Sequence, residues 1–271
     1  MTKISIITIC YNEPNLEKTC QSIVNQTWQD FEWIVVDGGS NQETLDIFDK
    51  YKTRINKFVS ESDNGIYNAC NKGIKMAEGE YVIFMNAGDS FYNENTLKAV
   101  YSLIEKENAD VVYGEIEYFY SANSKKNVLS HFPQIITSDY FIAGQNICSQ
   151  GAFIKKELFT IYGGFKEEYK ISADYHKWIQ FTKAGKVFKY IPVIVAHYDM
   201  NGTSNNFKKV LEKEIDEVLL EYFSQEEINK AKEKRKDKYS FWENILSVKN
   251  NKLETHKIIT LFGLHIKIRR K

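Results

Sequence analysis

A chain of 271 residues, 43% hydrophobic and 14% aromatic, carries enough apolar material for one sizeable core or for a domain with an appended piece, so disorder is not its default state. Lys+Arg and Asp+Glu balance at 36 each; no global field favours nucleic acid or an acidic polymer, and electrostatic recognition must come from local patches. Cys10, Cys20, Cys70 and Cys148 form no CxxC pair and each lies in an apolar run, which reads as four reduced core residues.

Met1 leads directly into the strand-like run Ile4 to Ile9, without the basic region, apolar stretch and cleavage site of a secretory signal. No apolar segment approaches the roughly 20 residues that span a bilayer, and the best candidate, Ile258 to Ile266, is interrupted by His265. The expectation is a cytoplasmic protein, or one lying on the cytoplasmic face of the inner membrane.

Over residues 1–115, short β-branched runs alternate with helical patterns, which predicts a parallel sheet covered by helices on both faces. The strands are Ile4 to Ile9, Phe31 to Val36, Lys57 to Ser60, Tyr81 to Met85 and Val111 to Tyr113. Between them Leu16, Cys20, Ile23 and Val24 recur at helical spacing, as do Ile66, Ala69, Cys70, Gly73, Ile74 and Ala77, and then Leu97, Val100, Tyr101 and Ile104. From about Glu115 the alternation loosens into aromatic strands, a Gly163-Gly164-Phe165 turn and a helix starting near Asp174. After Asn206 a helical stripe of Phe207, Val210, Leu211, Val218, Leu219 and Tyr222 precedes a capping box at Ser224 to Glu227 and a charge-rich run, Lys230 to Lys238.

In open parallel sheets ligands bind beyond the carboxyl ends of the strands, where loops converge beside helix N-termini. The first strand ends in Thr8-Ile9-Cys10-Tyr11-Asn12-Glu13-Pro14, which holds neither GxGxxG nor GxxxxGK[ST], so dinucleotide-binding and P-loop readings lose their phosphate turn. Tyr11 can stack on a planar base, although an ordinary strand-end aromatic fits the same position. Asp37-Gly38-Gly39-Ser40 follows the second strand, a carboxylate leading into glycines that permit close backbone approach, or a plain Asp-Gly turn. Glu61 to Asn68 with Asn71-Lys72-Gly73 crowds polar groups at a helix start, where anions such as phosphate are favoured. The fourth strand stops at Asn86-Ala87-Gly88-Asp89, placing a carboxylate at the crevice edge, and a Mg²⁺ or Mn²⁺ ion bridging a diphosphate needs few protein oxygens.

In order and spacing these four segments resemble the family 2 glycosyltransferases of the GT-A fold, in particular bacterial enzymes of O-antigen and capsule synthesis, over residues 3–205. The resemblance implies an α/β fold: a single Rossmann-like domain over 1–205 with a mixed, mostly parallel sheet, a nucleotide-binding half (1–115) and an acceptor half (116–205), followed by a helical extension over 206–271 with a basic amphipathic tail. It implies a UDP-sugar donor bound by Thr8, Tyr11, Glu13, Asp37, Gly38, Asp63, Tyr67, Asn71, Lys72 and Asn86, with Tyr11 and Asp37 on uracil. Asp89 and His197 would hold a divalent cation, Asp89 being the one carboxylate left in the thinned motif once Gly88 replaces an acidic residue. Ser149 stands where relatives often carry His, beside Gln150, and His197 to Ser204 resembles a loop that closes over the diphosphate.

Asp174, in Ile171-Ser172-Ala173-Asp174-Tyr175-His176-Lys177-Trp178, matches the family's catalytic base; read on its own it is an N-cap before an apolar helix. The implied reaction is inverting transfer of glucose, galactose or an N-acetylhexosamine to a hydroxyl of a lipid-linked glycan. Within enzymes, a nucleotidyltransferase is disfavoured because Thr8 to Pro14 lacks Gly, Lys and Arg. Outside enzymes, a degenerate sugar-nucleotide-binding scaffold draws support from the thinned metal motif. The C-terminal run Lys257 to Lys271 combines apolar residues with a basic end suited to anionic headgroups, or to a packed edge strand with a solvated tail.

Overall fold

The computed structural model describes residues 3–106, 108–119, 127–200 and 207–233, with Lys208 by its backbone alone, and the backbone of 246–250, 256–261 and 264–269. The chain divides into two units, one of residues 1–141 with 146–218 and the other of 142–145 with 219–271.

The first unit is built on a mixed sheet. Its parallel part comprises β1 (Ile4–Cys10), β2 (Phe31–Asp37), β3 (Lys57–Ser60) and β4 (Tyr81–Phe84), in the order β3-β2-β1-β4. Successive strands are added first on one side of β1 and then on the other, so the loops leaving β1 and β4 part to form a crevice at their carboxyl ends. Beyond β4 the sheet continues through β8 (Ala152–Lys155), β6 (Val111–Phe119), β9 (Phe188–Asp199) and β5 (Ser90–Phe91), with β7 (Val128–Leu129) paired to β6. β8 runs antiparallel to both neighbours and β9 parallel to β6, which gives the mixed, mostly parallel α/β sheet that the sequence implied.

Every residue of β1 and β2 is buried, as continuous apolar runs demand when helices cover both faces of a sheet. Inside the layer polar groups pair across the two strands: Ser5 Oγ donates to Glu32 Oε2 at 2.6 Å, and Trp33 Nε1 donates to Thr8 Oγ1 at 3.0 Å. The covering helices are α1 (Leu16–Val24), α2 (Gln42–Tyr51), α3 (Ile66–Met76) and α4 (Thr96–Ile104), followed by α5 (Ser138–Ile142), α6 (Lys156–Tyr162), α7 (Ala173–Lys183) and α8 (Lys208–Tyr222). The stripe Leu16, Cys20 and Ile23 faces the core from α1, and Asn41 caps α2 by accepting the Thr44 N–H. Cys10, Cys20, Cys70 and Cys148 are free thiols, the first three buried and Cys148 partly so.

In the second unit, Ser224 and Glu227 form the expected capping box, Ser224 N–H donating to Glu227 Oε2 at 2.8 Å and Glu227 N–H to Ser224 Oγ at 3.3 Å, ahead of helical residues 225–233. The extension then turns to strands: β10 (Leu246–Asn250), β11 (His256–Leu261) and β12 (Leu264–Arg269) form an antiparallel sheet in that order. Within 206–271, α8 and residues 225–233 are helical and the tail carries the strands β10 to β12. Leu264-His265-Ile266-Lys267-Ile268-Arg269 alternates with period two, and the register aligns Leu264 and Ile266 with Leu261 and Ile259. His265, Lys267 and Arg269 share the opposite face. The expected domain boundary at 205, residues 201–204 of the loop to Ser204 and residues 234–238 of the charge-rich run lie outside the described residues.

Where α3 crosses β1, Gly73 leaves no room for a side chain: a Cβ would meet Ile7 Cγ2 at 2.5 Å. Alanine normally favours a helix interior by about 1 kcal/mol over glycine. Here the expected sign is reversed, and Gly73→Ala should lower the stability read by urea unfolding by ~1–3 kcal/mol through overpacking.

Candidate active site

Four loops meet at the carboxyl ends of β1 to β4, and backbone bonds set their spacing: Gly38 N–H donates to Cys10 O at 2.8 Å, Glu61 N–H to Asp37 O at 3.0 Å and Ala87 N–H to Ile9 O at 3.0 Å. Asn12, at a φ of +48°, ties the first loop to the second by donating its N–H to Ser40 Oγ and accepting the Asn41 N–H on Oδ1, both at 2.8 Å.

Asp37, the last residue of β2, is fully buried. Its Oδ2 accepts the N–H groups of Gly39 (3.1 Å) and Ser40 (2.9 Å) and the Ser60 hydroxyl (2.6 Å), whereas its Oδ1 is buried with no partner. Buried carboxylate oxygens are normally bonded, so an orphan at a loop junction marks a place for a donor from outside. Tyr11, 69% exposed, stands beside it, with Cδ2 at 3.5 Å from where a Cβ on Gly38 would lie. Asn86 Oδ1, at the end of β4, is a second buried acceptor without a partner.

The other residues expected at the nucleotide divide. Glu13 accepts the Asn15 N–H at 2.9 Å, and its carboxylate lies 3.4–3.6 Å from the position of a Cβ on Gly88. Asp63 Oδ1 and Glu61 Oε1 take the Lys72 ammonium at 2.6 and 2.7 Å, and Lys72 also donates to Ser62 O, so this cation shapes the third loop. Both carboxylates raise its pKa, Asp63 first. Thr8 is a core residue beneath Trp33. Asn71 is spent on the 165–167 segment, bonding Phe165 O (2.9 Å), Phe165 N–H (2.8 Å) and Glu167 Oε1 (2.8 Å). Tyr67, 7% exposed, turns away from the loops and donates to Asp174 Oδ1 at 3.3 Å.

Asp174 occupies the first turn of α7 and remains partly accessible. Burial of its carboxylate, opposed by bonds from the Tyr175 N–H, the Tyr67 hydroxyl and the Asn146 side chain, pushes its pKa up to about 6. Such a group is ionised at neutral pH and basic enough to take a proton, the balance a general base needs. Its segment is fixed by a residue that sequence reading missed. Glu214 of α8, buried, accepts the N–H groups of Lys170 (2.7 Å) and Ile171 (3.1 Å) and the Ser172 hydroxyl (2.7 Å). Nothing in the helical stripe around Glu214 marks it; only its burial does.

Asp89 and His197, the pair expected to hold a cation, are engaged with protein. Asp89 is 6% exposed; Oδ1 accepts the Asp199 N–H and Oδ2 the Gln150 amide, each at 2.9 Å, and burial pushes its carboxyl up to about 7. His197 Nδ1 lies 2.9 Å from Glu117 Oε2, with the Tyr92 ring 4.9 Å away. Gly88, at a φ of +98°, adds no ligand, and among the described residues no three His, Cys, Asp or Glu side chains group to hold an ion. These two residues do not fit a cation held between them.

The sequence profile of Glycosyl transferase family 2 matches residues 5–211, which cover all of these loops and Asp174. The chain belongs to glycosyl transferase family 2. A PGL/p-HBAD biosynthesis glycosyltransferase of Mycobacterium tuberculosis is 33% identical over 208 residues, 74% of this chain and 78% of that one. A cholesterol galactosyltransferase of Borreliella burgdorferi is 32% identical over 167 residues, 60% of this chain and 43% of the relative. In fold, this glycosyltransferase is similar to residues 1–349 of S. aureus TarS, solved in complex with UDP-GlcNAc, with a TM-score of 0.64, 20% identity, and coverage of 85% of this chain and 70% of that one.

Asp89→Ala would strand the Gln150 amide and the Asp199 N–H. The expected outcome is a stability loss of ~1–3 kcal/mol by urea unfolding, with the response of nucleotide binding to Mn²⁺ and to EDTA unchanged in calorimetric titration.

Proposed function

We propose that this glycosyltransferase transfers a hexosyl or N-acetylhexosaminyl group from a UDP-sugar to an acceptor hydroxyl with inversion at the anomeric carbon. The orphaned Asp37 Oδ1 carries the reading. Uracil presents an N3–H donor at its ring edge, and a buried carboxylate oxygen whose companion is saturated is the acceptor such a donor completes. Tyr11 offers its exposed ring to the face of the same base, and Asn86 Oδ1 offers an acceptor to a hydroxyl farther along the nucleotide. That TarS was solved with UDP-GlcNAc supports this donor class.

In the proposed step, the acceptor hydroxyl attacks the anomeric carbon in line with the departing nucleoside diphosphate, and Asp174 takes its proton. An α-linked donor then gives a β-glycoside. The loops contribute orientation: bonds to Asp37 fix the base, and the base fixes the sugar relative to Asp174. No step is assigned to a metal ion. The name of one relative, a cholesterol galactosyltransferase, supports a lipid acceptor for this chain, which would bring the enzyme to a membrane surface. No helix among the described residues is long and apolar enough to cross a membrane.

The base is ionised above its pKa and protonated below it, so kcat should fall tenfold per pH unit as pH drops below about 6. Asp174→Asn should lower kcat by roughly 10²-fold or more at neutral pH while UDP affinity by calorimetry stays within about twofold. Near-normal turnover by the variant would remove Asp174 from the role. Donor hydrolysis absent from the native chain, with UDP still bound, would favour a sugar-nucleotide-binding scaffold.

A further inference from the structure

The N-terminus of α7 lacks its usual cap. Ser172, at the N-cap position, makes no side-chain bond to the helix because its hydroxyl goes to Glu214. The Tyr67 hydroxyl reaches this first turn from α3, more than 100 residues earlier in the chain, and donates to Asp174 Oδ1 at 3.3 Å.

The ring cannot swing away. It packs on Phe165 at 5.3 Å between centroids, and Phe165 packs in turn on Phe84 (5.5 Å) and Phe159 (5.4 Å). Asn71, one turn along α3, grips the Phe165 backbone in both directions, and Asn68 and Asn71 both donate to Glu167. The 3.3 Å separation is long for a hydroxyl on a carboxylate, as such bonds often are before a substrate closes the site.

We propose that Tyr67 is a positioning residue: its hydroxyl, held in place by the packing of its ring on Phe165, donates to Asp174 and keeps that carboxylate ionised and oriented toward the acceptor. The proposal rests on Asp174 as the base. It moves Tyr67 from contact with the nucleotide to control of the proton acceptor, and it makes α3, which opens beside the Asp63 loop, the link between the two halves of the reaction. The other titratable groups facing Asp174 are the thiols of Cys70 and Cys148, pushed up by burial first and by carboxylates including Asp174, so both stay neutral and neither replaces the tyrosine as a matched donor. Burial, and then Asp174, holds the Tyr67 hydroxyl itself well above its ordinary range, so it remains protonated.

The test is the Asp174 titration, read from its ¹³C carboxyl shift, assigned by its loss in Asp174→Asn, in the full chain with and without UDP. In Tyr67→Phe the midpoint should rise by about one pH unit, the shift expected when a charged acceptor loses one hydrogen bond, with UDP affinity within about twofold of the native value. A ring-fluorinated tyrosine at position 67, a stronger donor of unchanged shape, should move the midpoint the opposite way, and it decides the matter if the phenylalanine variant misfolds. Midpoints unmoved by either change would overturn the proposal. The midpoint is read without turnover, so Asp174→Asn proving active would sink the base assignment alone, a different result from an unmoved titration.

Discussion

The crevice depends on how one carboxylate is shared. Asp37 Oδ2 draws in donors from the loop that follows β2 and from the end of β3, and those bonds hold the second and third loops at a fixed separation. Gly38 and Asn12 then stitch the first loop to the second. The geometry that satisfies Oδ2 is the geometry that strands Oδ1, because each donor in reach is already aimed at its neighbour. A fold that buries half a carboxylate without a partner stores an unmet hydrogen bond, and a ligand supplying an N–H recovers it.

The acceptor half follows the same logic with a different carboxylate. Glu214 holds residues 170–172 in place, Tyr67 donates to the Asp174 carboxylate, and Asp174 is thereby fixed where burial raises its basicity. Asp89, the carboxylate nearest the family's metal motif in sequence, is used otherwise: it joins the loop after β4 to Gln150 and to the end of β9. Sequence proximity to a motif and availability to a ligand are different properties, and burial separates them.

The strands of the first half were legible because parallel strands covered on both faces leave unbroken apolar runs, and β1 to β4 match their expected extents within a residue or so. Asp37 and Tyr11 were legible as crevice residues because strand ends in such sheets point to the ligand side. Lys72, Asn71 and Thr8 sat in the same set of four segments but serve the scaffold, a distinction carried by partners such as Glu61, Phe165 and Trp33 that no local spacing reveals. Glu214 and the bond from Tyr67 to Asp174 were invisible for the same reason, since each acts across a long separation in sequence. The C-terminal strands were obscured by short apolar runs that fit either period; pairing between β11 and β12 resolves them.

The central claim is that Asp37 Oδ1 accepts the N3–H of a uracil ring. The most direct measurement is calorimetric titration of the native chain and of Asp37→Ala with UDP and with its N3-methyl derivative, which has no proton to donate. The native chain should bind UDP roughly 10- to 100-fold more tightly than the methylated nucleotide, and Asp37→Ala should bind the two alike. Equal affinity of the native chain for both nucleotides would contradict the account.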